Sequence, residues 1–557
     1  MPFLSKTQVD IPTQDILSWC FDNPQYDLDQ PLWIDASNPQ RSVSGREART
    51  LICKFAAGLR KNGLQPGDCV VVSSFNHLHY PILIFAIVAA GGVYTGTNPS
   101  YTAYEIAHHV NITHGKFFIC EPEILKPVLD AKHDLPKEKI FIFDHSGQDI
   151  PEGFKSYKTL LDHGEAEWAR FSSPTESQTT TAMLFFSSGT TGLPKAVQVS
   201  HYNIIAQYTL VFETQPRPYP ISRLVSLPLF HMATTPPALI APLRAGHTTY
   251  MMRRFELEAF LAYHEKYRIT ELCFIVPPIV ISIIMSPLSK KYSLKSVRLA
   301  ACGAAPLDKV PQAQFKELLA PEAPFTQVWG MTECSCVATM FPHSEHDATG
   351  SVGRLIPNLD IKLVDELGKD VSAPNIRAEI CIRGPTITRG YFENPEANAR
   401  DWDEEGYFHT GDIGFVDEGG KWYIVDRKKE LIKVRGFQVA PPELEAVLLS
   451  HPSIVDAGVI GISVPTRDIQ LPRAYVVQRD DTNDLTEEDV IAFAAERLAK
   501  YKRLDGGVRF VESIPKTASG KILKRTLREW AGREVGKHCL GPVKCIPNDA
   551  MSSSQKI

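Results

Sequence analysis

Apolar and polar positions recur along this chain at two periods, and the switches between them predict its elements. Over residues 45–64 the apolar residues Leu51, Phe55 and Leu59 recur at helical spacing, and the pattern ends near Gly63. Pro66-Gly67-Asp68 reads as a turn and residues 69–72 as a strand. A helix-like apolar run covers residues 82–90, and Asn98-Pro99-Ser100-Tyr101-Thr102 opens a further helix containing Glu105. Residues 117–120 and 140–143 are strands by composition. Such alternation implies parallel sheet layered with helices. Further on, residues 182–186 form a buried strand, and residues 224–229 run from strand into a loop at His231. Residues 272–276 form a strand ahead of Pro277-Pro278 and a helix. Residues 296–301 form one that ends at Gly303-Ala304-Ala305-Pro306, and residues 324–328 lead into Trp329-Gly330-Met331-Thr332-Glu333. In open α/β sheets ligands collect at the C-terminal ends of strands, so these loops are expected to converge.

From about residue 350 the texture changes. Short strands at 361–364, 379–383 and 422–425 alternate with Gly-rich turns, which suggests a β-rich lobe. After Asp426 the charged run Arg427-Lys428-Lys429-Glu430 reads as a linker. Beyond it, Pro441-Pro442 precedes a helix at 443–449, and Thr486 with Asp489 forms a variant capping box before a helix reaching Leu498. Residues 474–477 and 508–511 are strands. The expected fold is α/β, with a large N-terminal domain (1–425) of layered sheets and helices plus a β-rich lobe (350–425). A small α+β C-terminal domain (426–557) follows, with a flexible tail from about 540.

Composition sets the outer limits. A chain of 557 residues predicts two or three domains. A net charge of −5 carries no nucleic-acid footprint. The 11 cysteines are scattered without a C-x-x-C pair, which fits a reducing compartment and argues against zinc. The first ten residues lack a secretory pattern. Uncharged stretches of 15 residues (80–94) and 17 residues (272–288) are shorter than the roughly 20 apolar residues of a membrane span, and read as buried core. The chain ends Gln555-Lys556-Ile557, which approximates the peroxisomal tripeptide S-K-L with glutamine in place of the small residue. It reads equally as an address for an import receptor or as a plain tail, so the expected compartment is cytoplasmic or peroxisomal.

Candidate chemistry centres on Ser187-Ser188-Gly189-Thr190-Thr191-Gly192-Leu193-Pro194-Lys195, directly after the strand at 182–186. Glycines permit close backbone approach to an anion. Hydroxyls, backbone N–H groups and a lysine suit phosphate oxygens. The spacing differs from the Walker pattern G-x-x-x-x-G-K-[ST], which leaves kinase-like phosphoryl transfer a secondary reading. The string resembles the phosphate loop of adenylate-forming enzymes, a superfamily of acyl-CoA synthetases, 4-coumarate–CoA ligases, luciferases and adenylation domains, although Ala196 stands where that family usually has glycine. The resemblance spans about residues 30–530 and is closest to the 4-coumarate–CoA ligase and peroxisomal acyl-CoA ligase branch. It is carried further by Thr97-Asn98-Pro99, Gly303-Ala304-Ala305-Pro306-Leu307, Gly330-Met331-Thr332-Glu333, His409-Thr410-Gly411-Asp412, Gly436-Phe437-Gln438-Val439-Ala440-Pro441, and Pro515-Lys516 with Ser519-Gly520-Lys521.

The resemblance implies a two-step reaction. A carboxylate attacks the α-phosphorus of ATP to give acyl-AMP and pyrophosphate, and coenzyme A then displaces AMP. An anion approaching a polyanion requires electrostatic and positional catalysis. By the resemblance, Ser187 to Gly192 and Lys195 hold the β- and γ-phosphates, Thr332 donates to the α-phosphate, and Glu333 binds Mg²⁺ as a hard carboxylate ligand. Gly303, Ala304 and Ala305 form the adenine-proximal turn, with Gly330 beside it. Trp329 takes the place of a stacking tyrosine, and its indole suits that task. Asp412 accepts the ribose hydroxyls, with Arg427 nearby, and Gln438 reaches the nucleotide. Lys521 is the catalytic lysine between substrate carboxylate and α-phosphate. His231 lines the acyl pocket with Thr234, Thr235, Ala301, Cys302 and Cys336. Lys433 serves the thioester step, and Arg254, Arg435 and Gly436 contact coenzyme A. Asp426 and Lys429 form a hinge about which the small domain rotates between half-reactions. The substrate is an aromatic, phenylpropanoid-type or medium-chain fatty acid, and Cys336, in place of a proline, alters the pocket. The same motifs admit transfer to a separate carrier protein (only 36 residues follow Lys521) or luciferase-like oxidation of the adenylate. A binding module without catalysis needs neither Lys521 nor Glu333.

Overall fold

The computed structural model describes residues 1–187, 194–434, 437–463, 470–479, 485–498, 500–517 and 520–535. It divides into two compact units, Met1–Lys429 and a second comprising Glu430–Thr517 with the chain from Lys521.

The first unit holds two seven-stranded sheets of the layered α/β kind. In one, the order across the sheet is Lys155–Ser156, Ile140–Ile142, Phe117–Cys120, Cys69–Ser73, Val93–Thr97, Thr181–Ser187 and Lys195–Ser200, parallel except for the last pair. Its central strands Cys69–Ser73, Val93–Thr97 and Phe117–Cys120 are buried along their whole length, and Val70, Val71, Val72, Phe118 and Ile119 are fully buried. The helix Gly45–Lys61 starts on a capping box, Ser44 with Glu47, and turns Phe55 and Leu59 into the core. The helix His79–Ala89 is apolar all round because it is buried all round. Among the described residues no helix is long and apolar enough to cross a membrane.

The second sheet runs Phe325–Gln327, Leu299–Cys302, Glu271–Ile275, Ser222–Val225, Thr248–Met251, Pro31–Asp35 and Ser42–Ser44, again parallel but for the last pair. A four-stranded antiparallel sheet follows: Asp360–Val364, Ala378–Arg383, Phe408–Val416 and Trp422–Arg427. In the second unit the strands Ile454–Ser463, Gln470–Gln478 and Val508–Phe510 pack on the helices Pro441–Leu449 and Glu487–Arg497 around Leu444, Val459, Val476 and Val490. Thr486 and Asp489 make the capping box read from the sequence.

The sequence reading left several segments unassigned, among them the strands Pro31–Asp35 and Thr248–Met251, and one of these adjoins the glycine-rich string. The pattern assigned no element to residues 195–208, yet Lys195–Ser200 is a strand antiparallel to Thr181–Ser187, followed by the helix His201–Tyr208 capped by Ser200. The phosphate-loop string is therefore the connection of a hairpin.

Candidate active site

Ser187 and Lys195 face each other in the hairpin register, so the two ends of the glycine-rich connection are fixed by sheet pairing. Ser188, Gly189, Thr190, Thr191, Gly192 and Leu193 lie outside the described residues. The Lys195 ammonium stands 3.0 Å from Asp401 Oδ2 and 3.7 Å from the centroid of the Tyr391 ring. Burial raises the Asp401 carboxyl, but its bonds to Arg400 and Lys195 more than offset this and hold it below the usual range. The Tyr391 hydroxyl donates to Glu333 Oε1 at 3.0 Å. Glu333 is buried, and its Oε2 takes no hydrogen bond from the described residues. Neither Tyr391 nor Asp401 was singled out from the sequence. They stand 58 and 206 residues from their partners Glu333 and Lys195, and no local pattern reports such a meeting.

Glu333 belongs to a turn built on two neighbouring strands. Ala301 pairs with Thr326 and Cys302 with Gln327 in parallel register. The strand ends release Gly303, Ala304 and Ala305 on one side and residues 328–334 on the other, side by side. Ala304 has φ +71°, a left-handed conformation that costs an L-residue energy and that local packing must impose. Gly330 has no room for a side chain: a Cβ there would lie 1.8 Å from the Cys336 carbonyl oxygen. Thr332, Glu333 and Cys334 form one 3₁₀ turn ahead of Ser335 and Cys336, both at positive φ. Burial pushes the Cys334 and Cys336 thiols up, so both stay protonated.

Trp329, four residues before Glu333, is buried and donates its indole N–H to Asp412 Oδ2 at 2.8 Å. Arg427 Nε lies 2.8 Å from Asp412 Oδ1, and the two residues pair across adjacent strands. The Asp412 main-chain N–H donates to Thr410 Oγ. Trp329, Asp412 and Arg427 thus form one hydrogen-bonded set beside the Gly330 turn. Asp426 lies in the same strand as Arg427, its carboxylate accepting the Arg427 main-chain N–H. Burial lowers the Lys429 ammonium, helped by the nearby positive charge of Arg400.

His231 ends the loop after Ser222–Val225. Its Nδ1 accepts from the Ala233 main-chain N–H at 3.2 Å, and burial holds it below the usual histidine range, so the ring is neutral at physiological pH. Asn76 sets this loop, donating to the Leu227 carbonyl and accepting the Leu229 N–H. A cavity opens here, lined among others by Ala233, Thr234, Ala238, Cys273, Phe274 and Ile275. Of the expected pocket walls, Thr234 lines this cavity. Thr235 is buried, Ala301 and Cys302 are buried strand residues, and Cys336 Sγ approaches the Ala233 carbonyl. Phe274 and Cys273 were not anticipated. Phe274 holds φ +59° where the strand register shifts, a tertiary effect without a sequence mark. Arg223, which also lines the cavity, binds Glu271, which Arg217 contacts too. Burial raises Glu271, but the two guanidinium groups outweigh it and hold the carboxyl at about 2.

Arg254 lies over Phe75, its guanidinium 3.5 Å from the ring centroid. In the second unit Lys433 is exposed in the strand Ile432–Val434, opposite Gln438, and its main-chain N–H donates to Gln470. Lys521 closes a turn with Thr517: its N–H donates to Thr517 Oγ1, and its carbonyl accepts the Thr517 N–H. Arg435 and Gly436, and the side chain of Gln438, lie outside the described residues, as does the C-terminal tripeptide.

Comparison with known proteins adds to this geometry. The family profile described as "AMP-binding enzyme" matches residues 23–392, and that of the "AMP-binding enzyme C-terminal domain" matches residues 443–521. Phenylacetyl-CoA ligase epaB of Aspergillus niger is 51% identical, over 95% of this chain and 99% of that protein. Acyl-CoA ligase azaF of the same species is 50% identical, over 95% of this chain and the whole of the relative. The crystal structure of ATP-bound MatB from Rhodopseudomonas palustris superposes with a TM-score of 0.80 at 25% identity, covering 93% of this chain and 98% of the other.

Proposed function

The chain belongs to the AMP-binding enzyme family and is an AMP-forming acyl-CoA ligase using ATP and coenzyme A, and from that premise we propose that its acid is aromatic, of the arylacetic type. The support for the acid is the 51% identity to a phenylacetyl-CoA ligase over nearly the whole chain, together with a cavity whose walls are mostly apolar and include Phe274 and Phe260.

The observation that carries the site assignment is the turn at 329–333. It holds Trp329 in contact with Asp412 at one end and Glu333 in contact with Tyr391, and through it Lys195, at the other. A nucleotide laid along this turn meets a nucleoside end and a phosphate end in the right order. We assign the adenine to Gly303, Ala304, Ala305 and the Trp329 face, with Gly330 admitting close approach, and the ribose hydroxyls to Asp412, steadied by Arg427. Gln438 is assigned to the nucleotide as well. The phosphates go to Ser187, Ser188, Gly189, Thr190, Thr191, Gly192 and Lys195, with Thr332 donating at the α-phosphate. Glu333 fits a Mg²⁺ ligand, being a buried carboxylate with one oxygen engaged by a phenol and the other open to a hard cation. When bound there, Mg²⁺ neutralises phosphate charge.

The substrate carboxylate attacks the α-phosphorus, and the P–O bond to pyrophosphate breaks. Lys521 neutralises the charge that gathers at phosphorus. Lys195 restrains the leaving pyrophosphate. In the second step the thiol of coenzyme A attacks the acyl carbon and AMP leaves. His231, in the loop that supplies Ala233 and Thr234 to the cavity, is neutral and can accept a proton near the thiol path. Thr234, Thr235, Ala301, Cys302 and Cys336 shape the acyl pocket, Lys433 serves thioester formation, and Arg254, Arg435 and Gly436 hold coenzyme A. Asp426 and Lys429 flank the hinge between the two steps.

The test is pyrophosphate release across a panel of arylacetic, phenylpropanoid and medium-chain fatty acids, with and without coenzyme A. Phenylacetic acid is expected to give the highest kcat/KM and its thioester as product. A preference for aliphatic acids would overturn the aromatic assignment.

A further inference from the structure

We propose that Tyr391 is a positioning residue for the phosphate end of the nucleotide, its hydroxyl orienting the Glu333 carboxylate while its ring face holds the Lys195 ammonium. This rests on the reading above, in which those two groups meet Mg²⁺ and the triphosphate.

Tyr391 is 3% exposed. Its backbone is stitched to both partners. The Gln198 N–H donates to the Gly390 carbonyl at 3.0 Å, and the Phe392 N–H donates to the Ala196 carbonyl at 2.8 Å, so residues 390–392 lie antiparallel beside the strand that Lys195 begins. Two residues upstream, the Thr388 N–H donates to the Glu333 carbonyl at 2.9 Å. The Tyr391 N–H itself donates to Asn398 Oδ1 at 2.7 Å, and Trp402 packs edge-on against the ring at 5.3 Å. The ring therefore has one place to lie.

From that place the side chain acts on two groups 138 residues apart in sequence. Its hydroxyl donates to Glu333 Oε1, which fixes the carboxylate plane and leaves Oε2 free for a cation. Outer partners of a metal-binding carboxylate set its orientation, and their loss typically costs about 10- to 100-fold in metal affinity. Its ring face takes the Lys195 ammonium at 3.7 Å, while Asp401 holds the same ammonium from another side at 3.0 Å. A desolvated cation over an aromatic face is attracted by the ring quadrupole. A phenol is protonated at physiological pH, so the hydroxyl is the donor and the carboxylate the acceptor.

The test uses the full-length enzyme with Mn²⁺ as probe and a non-hydrolysable ATP analogue, reading bound Mn²⁺ by electron paramagnetic resonance. Tyr391→Phe keeps the ring face and removes the hydroxyl. It is expected to weaken Mn²⁺ binding in the nucleotide complex by about tenfold or more, while metal-free AMP binding is unchanged. Tyr391→Leu removes the ring as well, and is expected to weaken metal-free binding of the ATP analogue too, because Lys195 loses its aromatic support. Mn²⁺ binding by Tyr391→Phe equal to wild type would overturn the inference alone, and so would an equal loss of AMP binding, which reports general disruption. Failure of the wild-type complex to bind Mn²⁺ would overturn the Glu333 assignment and the inference with it.

Discussion

Trp329→Phe separates the two tasks given to this side chain. Phenylalanine keeps the flat ring face proposed to meet the adenine but has no N–H, so Asp412 Oδ2 loses the donor now at 2.8 Å. Asp412 and Trp329 are 4% and 7% exposed, so water replaces that donor poorly. The remaining restraint on the carboxylate is Arg427 at Oδ1, 2.8 Å away. A hydrogen bond to a charged group contributes about 1.5–3 kcal/mol, and a tenfold change in affinity is about 1.4 kcal/mol. The lower end applies because Arg427 persists, so AMP affinity is expected to fall about tenfold. Calorimetric titration with AMP, without metal or acid, measures this directly, and the KM for the carboxylic acid is expected to stay as in wild type. The companion variant Asp412→Asn tests the pairing. If the indole acts through Asp412, the double variant Trp329→Phe/Asp412→Asn loses less than the two single losses combined. Strict additivity, or unchanged AMP affinity in Trp329→Phe, would refute the reasoning.

Two further outcomes are expected. Lys521→Ala loses adenylate formation but largely retains thioester formation from a supplied acyl-adenylate, as followed by product chromatography; equal loss of both half-reactions would remove Lys521 from its assigned role. On acidification, Glu271, Glu121 and Glu379 each carry folded values held at about 2 against an ordinary 4.5. Burial raises all three, and their bonds to arginine, histidine or lysine partners more than offset it. The unfolded chain therefore binds more protons through this window. Their contribution is complete above about pH 4.5 and is lost as pH falls toward about 2. Melting temperature is expected to fall through that range, and Glu271→Gln is expected to flatten the fall; a flat profile below pH 4.5 would contradict it.

Much of the fold was legible because it is local. The spacing of Leu51, Phe55 and Leu59, the Thr486–Asp489 box and the apolar run ending at Cys120 each state an element within a few residues, and each is present. The motif strings named a family for the same reason. The strand Lys195–Ser200 was missed because its pairing partner, Thr181–Ser187, lies across a connection whose composition masks the hairpin. The site was legible as a set of strings, and its connections were not. Glu333 could be singled out by its motif, but the phenol that orients it comes from Tyr391, 58 residues on.

The sequence by itself determined the kinds of element and their order, because periodicity acts over a few residues. Its motif strings, through their resemblance to a family, singled out Lys195, Glu333, Asp412 and Lys521. The tertiary structure alone decided which of them meet. Trp329 turns its edge to Asp412, Lys195 lies between Tyr391 and Asp401, and Phe274 enters the cavity wall in a conformation its own sequence disfavours. Sheet register and close packing bring residues far apart in the chain to hydrogen-bonding distance, and neither is written in any short stretch of the chain.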